Sequence, residues 1–351
     1  KLLMAKILIL GAGAMGSAFS VPLLERQHEV MIAGTHLEDA FIDEMKNNNN
    51  FHPGLKLHLS EKTNIIKYMN LSKELRKNPD LIVLGISSKG INWVVDQLGA
   101  FFNDGTLPPI LMLTKGLSIH ENKYELLVDK LERLLISKGF KNTNISAVAG
   151  PCLANGLANK VHTSVVFANK NLRTVEWLKD ILTTDYYHPS ISDDMTGIEV
   201  CAAIKNIFSM VIGFSKGLYD EAAEDELKEN NYLNTSASLI SQSLYEMGLF
   251  VNFLKGNEKT VYGLAGLGDL FVSSQGGRNS KMGEYMSKGC VYSEVKKSKM
   301  QTVTVEGAEL VFEIGANIKK DFSIKKMPLL IGMVDAILDD KKFEINWRYF
   351  H

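Results

Sequence analysis

Apolar positions follow two rhythms along this chain. Up to about residue 190 they come as short continuous runs: Lys6–Leu10, Glu29–Ala33, 81–87, 110–113, Ile145–Ala149 and Thr163–Ala168. Runs without polar alternation suit parallel strands covered on both faces. Between them, 17–25 and Leu172–Leu182 read as helices, and 47–54, ending in Phe-His-Pro-Gly, reads as a loop. Past Ser192 the pattern lengthens into helical segments, so the expected domain boundary falls within 187–194. The expected fold class is α/β: an N-terminal Rossmann doubly wound sheet over 1–190 and a mainly α-helical domain over 191–351. Apart from the Asn run at 47–50, the chain shows no repeat or low-complexity tract.

The first strand runs straight into Gly11-Ala12-Gly13-Ala14-Met15-Gly16. Glycines at this spacing allow a tight turn, close approach of backbone to a pyrophosphate and close helix packing, and the amides of the helix that follows would face the phosphates. Gly11, Gly13, Ala14, Met15 and Gly16 are therefore candidate dinucleotide contacts, with Thr35 and His36 after the second strand. An acidic residue is expected at that strand end to hold the ribose hydroxyls. Here Gly34, Thr35 and His36 stand there, with Glu38 and Asp39 late, so the choice between NAD and NADP stays open. Later strands deliver Ser87-Ser88-Lys89-Gly90, Thr114-Lys115-Gly116 and Gly150-Pro151-Cys152 to the edge where open α/β sheets bind ligands.

Composition narrows the setting. The chain has 351 residues, 45% hydrophobic and 23% charged, enough for two domains with a substantial core. A net charge of −1 favours neither nucleic acid nor an anionic membrane as partner. Cys152, Cys201 and Cys290 have no paired spacing, which suits a reducing compartment. The apolar start is too short for a signal segment, and no apolar run of spanning length is expected. No histidine spacing suggests a metal site, and Trp93, Trp177 and Trp347 read as core or interface residues.

Two stretches carry chemistry. In 200–215 Lys205 is the only charge on a segment apolar on nearly every face, so it either snorkels or sits in a polar cavity. Desolvation would lower its pKa and suit it to acid-base work, with Asn206 beside it to orient a ligand. The second stretch, 263–279, is glycine-rich and holds Asp269, a hydroxyl acceptor, and Arg278, a bidentate phosphate ligand. Taken alone it reads equally well as a structural turn with a salt bridge.

The motifs together resemble the NAD(P)-dependent sn-glycerol-3-phosphate dehydrogenases. They are Gly-Ala-Gly-Ala-Met-Gly at 11–16, Thr-Lys-Gly at 114–116, Ala-Gly-Pro-Cys-Leu-Ala at 149–154, Gly-Ile-Glu-Val-Cys-Ala-Ala-Ile-Lys-Asn at 197–206, and Gly-Leu-Ala-Gly-Leu-Gly-Asp-Leu leading to Gly-Gly-Arg-Asn at 263–279. Val305-Glu306-Gly307 and Met327-Pro328 also look like family features. The resemblance implies reversible hydride transfer between NAD or NADP and C2 of a small phosphorylated substrate, in a cleft between the domains of a cytoplasmic homodimer. It implies Lys205 as proton acceptor, Lys115 as substrate and cofactor ligand, and Asp269 as ligand of the substrate hydroxyl. Gly150 and Cys152 match further substrate contacts and Gly277, Arg278 and Asn279 the phosphate site, while Asn206 is a substrate-contact candidate from its place beside Lys205. Ala154, Arg278 and Glu306 complete the cofactor contacts.

The chain departs from the family pattern in places. Cys152 replaces a hydroxyl residue, Asn155-Gly156 a charged pair ending in Glu, and Ser241-Gln242-Ser243 a Thr-Arg-Gly, while 220–231 is a long acidic insertion. Two other readings remain: a related hydroxyacid or ketoacid dehydrogenase, and a dinucleotide-binding regulatory protein that has lost turnover.

Overall fold

The apolar runs of the first half line up as one eight-stranded sheet in the computed structural model, which describes residues 4–102, 105–219 and 232–351. The acidic 220–231 stretch lies outside the described residues. In chain order the strands are β1 (Lys6–Leu10), β2 (Glu29–Ala33), β3 (Asn64–Ile66), β4 (Leu81–Leu84), β5 (Ile110–Met112), β6 (Ile145–Ala149), β7 (Thr163–Ala168) and β8 (Tyr187–Ser192). Their spatial order is β8-β7-β6-β5-β4-β1-β2-β3, parallel throughout except between β6 and β7. The first six strands thus have the doubly wound order of dinucleotide-binding sheets, as the glycine-led pattern predicts. Leu81, Ile82, Val83 and Leu84 are all fully buried, which is why β4 shows no polar alternation.

Helices α1 (Ala14–Glu25), α2 (Asp39–Asn47), α3 (Ile91–Phe101), α4 (Leu127–Ser137) and α5 (Leu172–Leu182) connect these strands. Three details differ from the sequence pattern. Helix α1 starts at Ala14 rather than residue 17, so Gly16 lies inside its first turn. The run 81–87 leaves the sheet after Leu84, because Gly85 turns against Leu10, to whose carbonyl its amide donates (2.8 Å). Residues 187–192, expected at the boundary, form the edge strand β8, where Tyr187 and Pro189 are buried and His188 and Ser190 exposed. Proline is tolerated on such an edge. The loop expected over 47–54 contains Phe51–His52, which pairs antiparallel with Leu57–His58.

The chain forms two compact units, one comprising residues up to Lys115 with Leu127–Met195, the other Gly116–Leu126 with Thr196–His351. The second is built on helices α6 (Met195–Gly217), α7 (Leu233–Phe253), α8 (Asp269–Ser274), α9 (Arg278–Ser287), α10 (Glu306–Asp321) and α11 (Pro328–Leu338), with the small hairpin Leu117–His120 and Lys123–Leu126. Among the described residues α6 alone passes, by length and composition, as a membrane span, with mean hydropathy 1.5. That amends the expectation of no such run. Burial of 94% of its apolar window inside the protein marks it as a core helix.

Backbone contact sets what surrounds α6. A Cβ on Gly283 of α9 would lie 1.8 Å from the Met210 carbonyl oxygen, and one on Gly213 would lie 2.0 Å from that of Ser280. At the start of α10, a Cβ on Gly307 would lie 2.6 Å from the Asn206 carbonyl oxygen. Only glycine lets helices approach this closely, and the result is that the first turns of α9 and α10 converge on α6 beside Asn206.

Candidate active site

In the first unit the site is mostly backbone. Gly11 has φ +104°, and a Cβ there would lie 2.5 Å from the Gly85 carbonyl oxygen. A Cβ on Gly16 would meet the Gly11 carbonyl oxygen at 2.4 Å, whereas one on Gly13 would meet nothing within 4 Å. The outer glycines therefore close β1 onto β4 and α1, and the middle one leaves the loop surface open to a ligand. With the start of α1 beyond it, this is a surface that fits a dinucleotide pyrophosphate.

Side chains hold that loop from both sides. Glu38 Oε2 accepts from the amides of Thr35 (2.7 Å) and Ala12 (3.3 Å), while Ser17 Oγ donates to the Ala12 carbonyl (3.0 Å). The Leu55 amide donates to His52 Nδ1 (3.1 Å), so Nε2 carries the proton and donates to the Ala12 carbonyl (3.1 Å). Burial is the main cause that lowers the His52 pKa below its ordinary value, against opposing backbone hydrogen bonds and the Glu38 charge. Beyond β2, His36 lies with Tyr68 and Trp93, their ring centroids 5.5 to 6.3 Å apart. Farther along the sheet edge, Met15, Phe19, Lys115, Gly150, Cys152 and Tyr187 line a small pocket. Burial pushes the Tyr187 hydroxyl well above its ordinary pKa, with Cys152 a lesser cause. Ala154 opens the short helix Ala154–Ala158 that packs on α1.

The second unit builds its part from buried side chains. Lys205, 7% exposed, forms an ion pair with Asp269, 3% exposed, and donates to Ser273 Oγ (2.8 Å). It does not snorkel. Asp269 gets there through the glycine-rich segment, which winds as a π-helical turn over Leu264–Gly268 before α8 begins. A Cβ on Gly266 would lie 2.0 Å from the Val261 carbonyl oxygen, so the turn can be this tight only with glycine. Ser273 follows Asp269 by one helical turn and so shares its face.

The next turn contains Gly276 at φ +106° and leads to Gly277, which caps α9. Arg278 at the helix start forms an ion pair with Glu306 at the start of α10. Asn279 joins three helices: its Nδ2 donates to Asn206 Oδ1 (3.2 Å) and its Oδ1 accepts from the Gly307 amide (2.8 Å). Amides, a guanidinium and an amide side chain at a helix start form a surface suited to a phosphate.

The predicted residues thus fall into groups. Gly11, Gly13, Ala14, Met15, Gly16 and Thr35 surround one loop, and Lys115, Gly150 and Cys152 share a pocket with Met15. Lys205 meets Asp269, Asn206 meets Asn279, and Arg278 meets Glu306. Pattern reasoning missed His52, Gly85, Tyr68 and Ser273, gave Glu38 only as an acidic residue late for the strand end, and read Trp93 only as a core or interface residue. Only Ser273 had a usable local signal, its i+4 spacing from Asp269. Of the departures from the family pattern, Asn155 is exposed on its short helix, and Gln242 finds a structural explanation. Gln242 donates to Glu246 Oε1 (3.0 Å) and accepts from the His351 amide (3.0 Å). Glu246 in turn accepts from the Leu329 and Leu330 amides at the start of α11, so this is a helix cap.

Comparison with known proteins agrees with the motifs. Residues 6–175 match the NAD-dependent glycerol-3-phosphate dehydrogenase N-terminus and residues 194–345 the corresponding C-terminus. An NADP(+)-dependent glycerol-3-phosphate dehydrogenase of Archaeoglobus fulgidus is 29% identical over 320 residues, covering 89% of this chain and 90% of that protein. An NAD(P)+ glycerol-3-phosphate dehydrogenase of Clostridium botulinum is 28% identical over 356 residues, covering 97% and 100%. The crystal structure of the glycerol-3-phosphate dehydrogenase of Coxiella burnetii superposes with a TM-score of 0.77 at 25% identity, over 97% of this chain and 96% of that one. The chain belongs to the NAD-dependent glycerol-3-phosphate dehydrogenase family.

Proposed function

We propose that this chain is an NAD(P)-dependent glycerol-3-phosphate dehydrogenase that interconverts glycerol 3-phosphate and dihydroxyacetone phosphate. The observation that carries the proposal is Lys205, a cation on an apolar core helix, buried between Asp269 and Ser273. A lone buried lysine is costly unless a partner and a task retain it. A nicotinamide dinucleotide, when bound, supplies the hydride acceptor or donor. Gly11, Gly13, Ala14, Met15 and Gly16 would hold its phosphates, with Thr35, His36, Lys115, Ala154, Arg278 and Glu306 as further contacts.

In oxidation the neutral Lys205 amine takes the proton of the C2 hydroxyl, and in reduction its ammonium form returns it. Asp269 and Lys115 orient the reacting oxygen, with Gly150, Cys152 and Asn206 against the substrate. Gly277, Arg278 and Asn279 grip the phosphate, so that binding energy far from C2 helps hold it in attacking geometry. In this proposal residues 1–190 supply most of the cofactor contacts and 191–351 most of the substrate contacts, with Lys115, Gly150 and Cys152 also serving the substrate and Arg278 and Glu306 the cofactor, and the acting species is a cytoplasmic homodimer. Relatives named for NADP(+) and for NAD(P)+ leave the preference to residues of this chain. Loss of turnover is disfavoured, because Lys205 and Lys115 are both kept and Gln242, one of the departures that suggested it, supports a helix cap.

The test is oxidation of NADH and NADPH on addition of dihydroxyacetone phosphate. Turnover with the triose phosphate, and none with the unphosphorylated ketone, is the expected result. Cofactor binding without turnover would overturn the proposal.

A further inference from the structure

Glu38 stands too far beyond β2 to look like the acidic residue of a dinucleotide fold, yet the chain turns back to bring it there. Through Oε2 it joins the amides of Ala12, in the glycine loop after β1, and Thr35, after β2. Its carboxylate therefore bridges the ends of the two strands between which doubly wound folds hold the adenosine ribose. Both bonds fall on Oε2, and among the described residues Oε1 accepts no hydrogen bond, so one oxygen keeps its capacity for a hydroxyl donor. The residue is half-buried, which limits screening of its charge. Beside it, the His36, Tyr68 and Trp93 rings offer flat surfaces to a base.

We infer that Glu38 is the residue that sets cofactor preference, and that it selects NAD(H) over NADP(H). A 2′-hydroxyl donates to a carboxylate acceptor. A 2′-phosphate meets it as a second anion and competes with it for the Ala12 and Thr35 amides, where like-charge juxtaposition is strongly unfavourable. The inference rests on the dinucleotide-binding part of the proposed function and adds the identity of the dinucleotide.

Direct titration of the whole protein with NADH and NADPH, followed by nucleotide fluorescence without substrate, tests it. The wild type should bind NADH about tenfold or more tightly than NADPH, the scale of a hydrogen bond to a charged group gained or lost. Glu38→Gln, which keeps an acceptor for the two amides and removes the charge, should narrow that ratio mainly by tightening NADPH. Glu38→Ala should narrow it further by weakening NADH. Equal affinities in the wild type, preference for NADPH, or an unchanged ratio in a folded Glu38→Gln protein would each overturn the role of Glu38 and leave the dehydrogenase proposal standing. Failure of both nucleotides to bind would overturn both.

Discussion

Around Gly11 the first unit works with backbone: a left-handed glycine, a loop whose middle glycine faces open space, and a helix start, all held by Glu38 and His52. Around Lys205 the second unit works with side chains: an ion pair and a serine, buried on elements that glycines bring into backbone contact. Under the proposed function the difference follows from what each would handle. A pyrophosphate is bound by many weak dipoles that need only the right chain path. A proton in transit needs one titratable group whose partners are fixed.

The two units also hold buried groups that titrate in opposite senses. Buried His28 accepts from the Ala5 amide (3.1 Å) and donates to the Ile181 carbonyl (3.0 Å), and burial lowers its pKa, as it does that of His52, below the ordinary 6.5. In the folded state these imidazoles resist protonation, so their contribution is complete above pH 6.5 and is lost as pH falls below it. Glu246 in the second unit is pushed by burial from 4.5 up to about 7, with the Gln242, Leu329 and Leu330 hydrogen bonds opposing. Its folded form holds a proton that the unfolded chain releases, so its contribution is complete below pH 4.5 and is lost as pH rises through about 7.

Four substitutions put this contrast at risk. Lys205→Ala should reduce turnover by about a hundredfold or more, the scale of a lost general acid-base group, with cofactor affinity in the first unit little changed. Steady-state kinetics alongside nucleotide titration checks it, and near-normal turnover would end the assignment of the proton to Lys205. Gly266→Ala should destabilise the second unit by about 2 kcal/mol, as overpacking against backbone does, read as a lower denaturation midpoint. Gly13→Ala should leave that midpoint nearly unchanged but weaken nucleotide binding by about tenfold, since the added methyl meets only the ligand. If it unfolds the protein instead, the loop surface is not open as described. The smallest effect is that of Glu246→Gln, which should flatten the loss of thermal stability between pH 5 and 7 (ordinary Glu 4.5, raised to about 7). The acid-side loss from His28 and His52 should persist in that variant. A midpoint that rises as steeply as in the wild type when pH falls from 7 to 5 would remove Glu246 as its source.

How much could be read in advance tracks this same division. Strand ends and the glycine loop were legible because their signals are local: continuous apolar runs, and glycines at set spacing. Even there Glu38 was legible only as an acidic residue standing late, since nothing in Gly34-Thr35-His36-Leu37 announces that the turn folds back onto Ala12. His52 was equally silent inside a Phe-His-Pro-Gly loop. Lys205 drew attention as an isolated charge on an apolar helix, but choosing between snorkelling and burial required knowing what packs on that helix. Gln242 looked like a departure with functional weight until its partners placed it in the cap of α11.

The amino-acid sequence by itself determined the doubly wound sheet, the glycine loop after β1 and the family, because periodicity and glycine spacing are properties of neighbouring residues. Tertiary structure alone decided that Lys205 pairs with a carboxylate 64 residues away, that Asn279 joins three helices, and that Glu38 bridges β1 and β2. Such contacts depend on where the folded chain places groups remote in sequence, which the helix and strand periods do not specify.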